Sequence, residues 1–446
     1  MYREILENLK IWKDSPDRKP ILLQGARQVG KTWVMKTFGK EQFENYVFFD
    51  FDENPELREI FKTTKDPRRI MKELSLYTEY PINPGKTLII FDEIQLCEEA
   101  LNSLKYFKEN APEFHVMAAG SLLGVAIRKK RMPVPVGKVN LMRMYPMTFR
   151  EFLRASNKEV FDFVASLSSL SPLPEIIFNK LKTEYRRYQV CGGMPEAVMA
   201  LLGNKGIAAV DKVLQEILNL YELDFSQYAD PSEILKIKAV WHSLPSQLSK
   251  ENRKFIYKLV RTGARAKEYE TALEWLKEAG LIYKICDVSK PGIPLSAYIE
   301  HDIFKIYALD CGILRRLAGL DSSVLLDPVA SYVEFKGAFA ENIVFQSLIP
   351  SLEENTYAYW TSEGRAELDM ILQKGGEIIP VEIKAEDNVS GKSLSVYVRK
   401  YNPERIVRIS MQNLKLNDRL LNCPLPLTCW LPSYLQWANR VGSAGS

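Results

Sequence analysis

The chain has 446 residues, 46% hydrophobic and 26% charged, enough for roughly two to four packed domains. Lys and Arg number 60 against 56 Asp and Glu, a net charge of +4, which excludes a polycationic tail binder and confines any nucleic-acid contact to a local patch. Six cysteines (Cys97, Cys191, Cys286, Cys311, Cys423, Cys429), no CxxC and three histidines argue against a zinc site and for a reduced cytoplasm, and without an apolar leader or a long apolar run the sequence reads as neither secreted nor membrane-spanning.

From Pro20 to about Met147 the apolar runs ILLQ, YVFFDF, TLIIFD, VMAAG and VNLMRMYP alternate with helical patterns. This predicts an α/β fold with a parallel sheet flanked by helices over residues 1–147. Between ILLQ and the helical WVMKTF stand Gly25, Ala26, Arg27, Gln28, Val29, Gly30, Lys31 and Thr32, which fit G-x-x-x-x-G-K-(S/T). Glycines let backbone N–H groups close on phosphate oxygens at a helix N-terminus, Lys31 adds a charge for the β and γ phosphates, and the Thr32 hydroxyl ligates Mg²⁺. An accidental glycine-rich turn is the alternative, and the strand and helix flanks speak against it. TLIIFDE ends a buried strand in two acids. Buried carboxylates are costly without a cation, so Asp92 is expected in the Mg²⁺ shell and Glu93 beside the attacking water. VMAAG leads into Ser121, which sits near the γ phosphate or simply caps a helix. The site reads as one for ATP and Mg²⁺.

Residues 148–205 turn helical (FREFLRA, PEIIFNKLKTEYRRYQV, PEAVMALL) with Ser/Pro-rich and Gly-Gly breaks, as a small lid would. Residues 206–330 hold helical segments, then strand-like LIYKICDV and LSAYIEHDIFKIYAL around SKPGIP, the order of a winged helix. Within them Lys250 to Glu270 carries Lys250, Arg253, Lys254, Lys258, Arg261, Arg265 and Lys267 against Glu251, Glu268 and Glu270, a local +4. DNA contact and plain packing under a solvated charged face both remain open there. Residues 331–434 begin with the helix AFAENIVFQSLI and continue through YAYW, AELDMILQ, EIIPVEIKA, SVYVRKY and RIVRIS, an αβββαβ order. Asp369 lies on the second strand; Glu382 and Lys384 share one face of the third, and Glu341 lies on the preceding helix. Residues 435–446 form a tail whose end from Gly442 reads as a flexible linker.

GARQVGKT, IIFDEIQ, the GSLLGVA turn, PVGKVNLMRMYPMTFREFL and RRYQVCGGMPEAV together resemble the bacterial and archaeal AAA+-type P-loop ATPases that carry a C-terminal domain of unknown function. The resemblance implies an ATP-binding core with a lid, a winged-helix-like region and a restriction-endonuclease-like end. It implies an arginine finger in the interval of Arg128, Lys129, Lys130 and Arg131, with Arg128 or Arg131 acting in trans within a homo-oligomer; a solvated basic loop is the plain alternative. Gly192, Gly193, Met194 and Pro195 resemble the Gly-x-Pro lid motif of signal-transducing ATPases, which implies Pro195 beside the nucleotide base; ordinary helix-start grammar is the other reading. D-(x12)-E-x-K, with Leu368 where the pattern has Pro, is similar to the PD-(D/E)XK nucleases. That implies Asp369, Glu382 and Glu341 on Mg²⁺, with Lys384 orienting or deprotonating the attacking water. The readings that follow are a nucleotide-gated, DNA-directed nuclease, a nucleotide switch with a non-catalytic protein- or DNA-binding scaffold, and a ring-forming remodelling motor.

Overall fold

The computed structural model describes residues 1–130, 135, 137–250, 254–326, 333–362, 366–386 and 391–442. Arg131, Arg253 and residues 443–446 of the expected linker lie outside them, as does the side chain of Arg128. Among the described residues no helix is long and apolar enough to cross a membrane.

The chain divides into two units. The first comprises Met1–Tyr145, Ser226–Asp230 and Glu274–Leu281. Its strands β1 (Ile21–Gln24), β2 (Asn45–Asp50), β3 (Thr87–Asp92), β4 (His115–Ala119) and β5 (Asn140–Arg143) form one parallel sheet in the order β2-β3-β4-β1-β5. β3 and β4 are buried along their whole length, which is why TLIIFD and HVMAA read as continuous apolar runs. Phe91 of β3 meets Phe49, Phe51, Phe61 and Phe107 at ring-centroid distances of 5.5 to 6.4 Å. Such contacts add about 0.5–1.5 kcal/mol each beyond area burial and fix β3 against its covering helices.

The second unit comprises Pro146–Phe225, Pro231–Leu273 and the chain from Ile282 onward. Residues 148–205 fold into the helices Phe149–Ser156, Lys158–Ala165, Glu175–Cys191 and Pro195–Leu202. The first opens on a capping box between Thr148 and Glu151, which satisfies two helix-end N–H groups reciprocally. Helices Ile207–Tyr228, Pro231–Leu248, Tyr257–Val260 and Ala266–Glu278 precede an antiparallel ribbon of β6 (Ile282–Val288) and β7 (Glu300–Ala308). The strands β8 (Tyr357–Ser362), β9 (Ala366–Lys374), β10 (Glu377–Ile383), β11 (Ile406–Ser410), β12 (Lys415–Asn417) and β13 (Leu420–Pro424) follow.

These strands and the ribbon make one eight-stranded sheet, β12-β13-β11-β10-β9-β8-β6-β7. The boundary read from sequence at 330/331 therefore separates no sheets. β6 pairs in parallel with β8 through Asp287↔Tyr359 and Val288↔Trp360, and the ribbon closes an edge that β8 would otherwise expose. One sheet face packs Val288, Ala358, Trp360 and Leu368 against Leu394 and Tyr397 of the helix Lys392–Tyr401. Glu367 and Asp369, alternating with Leu368, take the other face.

Candidate functional site

β1 is flanked by β4 and β5, while β2, its successor in sequence, lies at the sheet edge beyond β3. Strand order thus reverses at β1, and the carboxyl end of a parallel strand at such a reversal opens a crevice for ligands. Gly25 to Thr32 fills that position. The loop turns through left-handed backbone at Gln28 (φ 67°) and Gly30 (φ 92°). A Cβ on Gly25 would stand 2.3 Å from the Met144 carbonyl oxygen just past β5, so the loop passes only as glycine there. Arg3 braces it from below, donating to the Val29 carbonyl at 2.7 Å and the Tyr145 carbonyl at 2.6 Å. Gly280, which follows the helix Ala266–Glu278, brings its Cβ position to 3.5 Å from the Ala26 nitrogen.

Lys31 starts the helix Lys31–Gln42 and folds its ammonium back over the loop, donating to the carbonyls of Gly25 (3.0 Å) and Ala26 (2.9 Å) and to the Ser121 hydroxyl (3.4 Å). The Thr32 hydroxyl donates to Asp92 Oδ2 at 2.5 Å. Asp92 is 3% exposed, and burial raises its pKa above the ordinary value, opposed by the Thr32 hydrogen bond. A buried carboxylate supported by one hydroxyl and the Glu93 N–H at 3.1 Å, with a second hard oxygen beside it, is a donor set suited to Mg²⁺. Glu93 accepts from the Ser121 hydroxyl at 3.2 Å and from the Gln95 amide. The structure therefore brings Lys31, Thr32, Asp92, Glu93 and Ser121 into one cluster. Ala26 and Val29 are buried beneath the loop, and Gln28 is exposed on it.

Arg128 lies on the helix Leu123–Lys130, and Arg131 lies outside the described residues. Pro195 opens the helix Pro195–Leu202 in the second unit. The glycines before it serve packing: a Cβ on Gly192 would come within 2.1 Å of Asp310 Oδ1, and one on Gly193 within 2.0 Å of the Met147 carbonyl. Gly193 N–H also donates to the buried Asp310 carboxylate at 2.6 Å.

In the eight-stranded sheet Asp369 accepts from the Ile383 N–H at 2.7 Å, and Glu341 accepts from the Tyr307 hydroxyl at 2.8 Å. Glu382 meets two cations, Lys384 at 3.5 Å and Arg408 at 3.4 Å. Arg408 is the direct parallel partner of Glu382 on β11. Among the described residues no three His, Cys, Asp or Glu side chains form a group able to hold a metal ion; Asp369 reaches the Ile383 N–H, one residue past Glu382, while Glu341 is engaged by Tyr307. Sequence reasoning missed Arg3, Gln95 and Arg408. The only signals for them were a basic residue near the start, a polar residue two places past the acids, and an arginine within an apolar strand.

Residues 17–153 match the family model of an AAA domain. Residues 182–324 and 336–430 match two domains of unknown function (DUF8612 and DUF4143). Uncharacterized proteins of Mycobacterium bovis and Mycobacterium tuberculosis are each 35% identical over 80 residues, 18% of this chain, and the matched region spans 17% of the length of these curated relatives. Among solved structures, the Walker-type ATPase of Pyrococcus abyssi aligns at 17% identity over 71% of this chain and 95% of its own, with a TM-score of 0.43. The ORC2 protein of Aeropyrum pernix in its ADPNP–ADP complexes aligns at 17% identity over 74% and 95%, with a TM-score of 0.39.

Proposed function

We propose that the first unit binds ATP with Mg²⁺ and hydrolyses it. The observation that carries this reading is the convergence of Lys31, Thr32, Asp92 and Glu93 at the carboxyl end of a parallel sheet, in a stretch that matches an AAA domain. Loop N–H groups from Gly25 to Lys31 receive the phosphate oxygens, and Lys31 exchanges its loop carbonyls for the β and γ phosphates. Thr32 and Asp92 would hold Mg²⁺, which when bound supplies neutralisation of phosphate charge. Glu93 accepts a hydrogen bond from the attacking water and polarises it, and Ser121 links that carboxylate to Lys31. Lys31→Ala is expected to abolish ATP binding; Glu93→Gln is expected to keep binding and lose turnover. Nucleotide binding and phosphate release measured on both variants test the reading, and equal turnover in wild type and Glu93→Gln overturns it.

For the eight-stranded sheet the contacts favour a nucleotide-controlled scaffold over a nuclease. Besides Lys384, which the nuclease pattern itself places there, Glu382 has Arg408 as its direct partner on β11 at 3.4 Å, so a protein cation outside the pattern supplies positive charge that a metal would bring. Plasmid and single-stranded DNA incubated with the protein, Mg²⁺ or Mn²⁺, and either ATP or none are expected to stay intact. Cleavage lost in Lys384→Ala would restore the nuclease reading.

A further inference from the structure

Glu93 is the first residue past β3, and its backbone stands at φ 49°, ψ 41° in the left-handed region. Non-glycine residues there are strained and hold only where their surroundings over-determine them. The determinants meet at the carboxylate. Oε2 accepts from the side-chain amide of Gln95 and from the Ser121 backbone N–H at 3.4 Å, and Oε1 accepts from the Ser121 hydroxyl at 3.2 Å. Each carboxylate oxygen offers about two acceptor sites. Oε2 is therefore filled, and among the described residues Oε1 keeps one site open beside the Ser121 hydroxyl that also receives Lys31.

Gln95 lies on the short turn Ile94–Leu96 and is 1% exposed. Its amide nitrogen serves Glu93, while its own Oε1 has no hydrogen-bond partner among the described residues. A buried, unpaired amide oxygen is unfavourable, and an apolar side chain of similar length would avoid it. Gly120 is fitted to the same group: a Cβ there would fall 2.1 Å from Gln95 Oε1. The fold thus keeps an amide with an unpaired oxygen next to a glycine, and among the described residues the side-chain hydrogen bond of that amide goes to Glu93.

We infer that Gln95 is a positioning residue for the water-activating carboxylate. It engages Oε2 so that Oε1 alone presents an open acceptor site to the attacking water, and Gly120 gives the amide the room to do so. The inference rests on the ATPase reading above and adds to it the residue that sets the orientation of Glu93.

The test compares wild type, Lys31→Ala, Gln95→Leu and Gly120→Ala for binding of a fluorescent ATP analogue and for kcat. Gln95→Leu and Gly120→Ala are expected to lower kcat roughly 10- to 100-fold, the scale of a small misplacement of a reacting group, with analogue Kd within about twofold of wild type. A fall in kcat with nucleotide binding retained is a split that a merely structural role, which would loosen the nucleotide site as a whole, does not produce. Wild-type kcat in Gln95→Leu, or loss of analogue binding in both Gln95→Leu and Gly120→Ala, overturns the inference and leaves the ATPase intact. Absence of Lys31-dependent hydrolysis in the wild type overturns the ATPase reading itself.

Discussion

Asp92 carries a cost that its partners offset only in part. Burial raises its pKa while the Thr32 hydroxyl opposes the rise. A carboxyl that binds its proton more tightly folded than unfolded contributes stability at low pH, and that contribution is lost as pH rises from the ordinary Asp range through the raised value. Asp92→Asn is therefore expected to stabilise the nucleotide-free protein at neutral pH by on the order of 1 kcal/mol while weakening Mg²⁺-dependent ATP binding. Calorimetry with and without Mg²⁺ and ATP checks both signs. His115 runs the other way. It lies edge-on to Trp12 (5.8 Å) and Phe43 (5.0 Å), and burial first, then the charge of Arg18, lowers its pKa to about 4. A histidine that the fold keeps neutral costs stability as pH falls from its ordinary range toward the lowered value. His115→Gln should flatten that acid limb by on the order of 1–2 kcal/mol at pH 5, measured by urea unfolding at pH 7 and pH 5.

Among the elements, β10 and β11 hold the most informative pair. Glu382 is buried, and Arg408 faces it across a parallel ladder. Removing one partner of a buried ion pair leaves an uncompensated charge, whereas removing both need not. Arg408→Met is expected to cost about 1–3 kcal/mol, and Arg408→Met with Glu382→Leu less than the single change; denaturant unfolding of the four proteins of this cycle measures the coupling. The pair also shows where sequence reading stops. Gly25 to Thr32 was legible as a glycine-bearing turn because the motif is contiguous and its flanks are a strand and a helix. Arg408 lies 26 residues from Glu382, and hydrophobic period fixes the face a residue takes without saying which residue of which neighbouring strand it meets. The same blindness hid the β6–β8 pairing: alternation marks a strand without naming its neighbour. Gly192 and Gly193 were visible as a break, but Asp310, whose carboxylate leaves no room for a Cβ on Gly192 and accepts from the Gly193 N–H, is more than a hundred residues on.

On the scale of the whole molecule, the small net charge makes the basic stretch before β6 the place to look for nucleic acid. Lys258, Arg261, Arg265 and Lys267 are exposed and Lys254 is half-buried, whereas Tyr269 is buried in the helix that follows. If this stretch contacts DNA phosphates, changing Lys254, Lys258 and Arg261 together to Ala weakens binding and flattens the slope of log affinity against log salt by up to about 2–3, since each lost phosphate contact releases about one counterion fewer. A salt titration by filter binding reads the slope, and an unchanged slope assigns the contact elsewhere.

The first unit is discontinuous, and that sets a schedule for its synthesis. Gly25 to Thr32, Asp92, Glu93 and Ser121 leave the ribosome early, yet Glu274–Leu281, with Gly280 against Ala26, belongs to the same unit. At ribosomal speeds of about 5–20 residues per second, the interval from Ser121 to Leu281 lasts roughly 10–30 s. Throughout it the nascent chain carries the complete phosphate-binding motif on an unfinished fold, waiting for a segment encoded after most of the helices of the second unit. Completion of the first unit thus waits for Leu281, and a ribosome stalled before Glu274 holds a chain that has the motif without the whole unit that contains it.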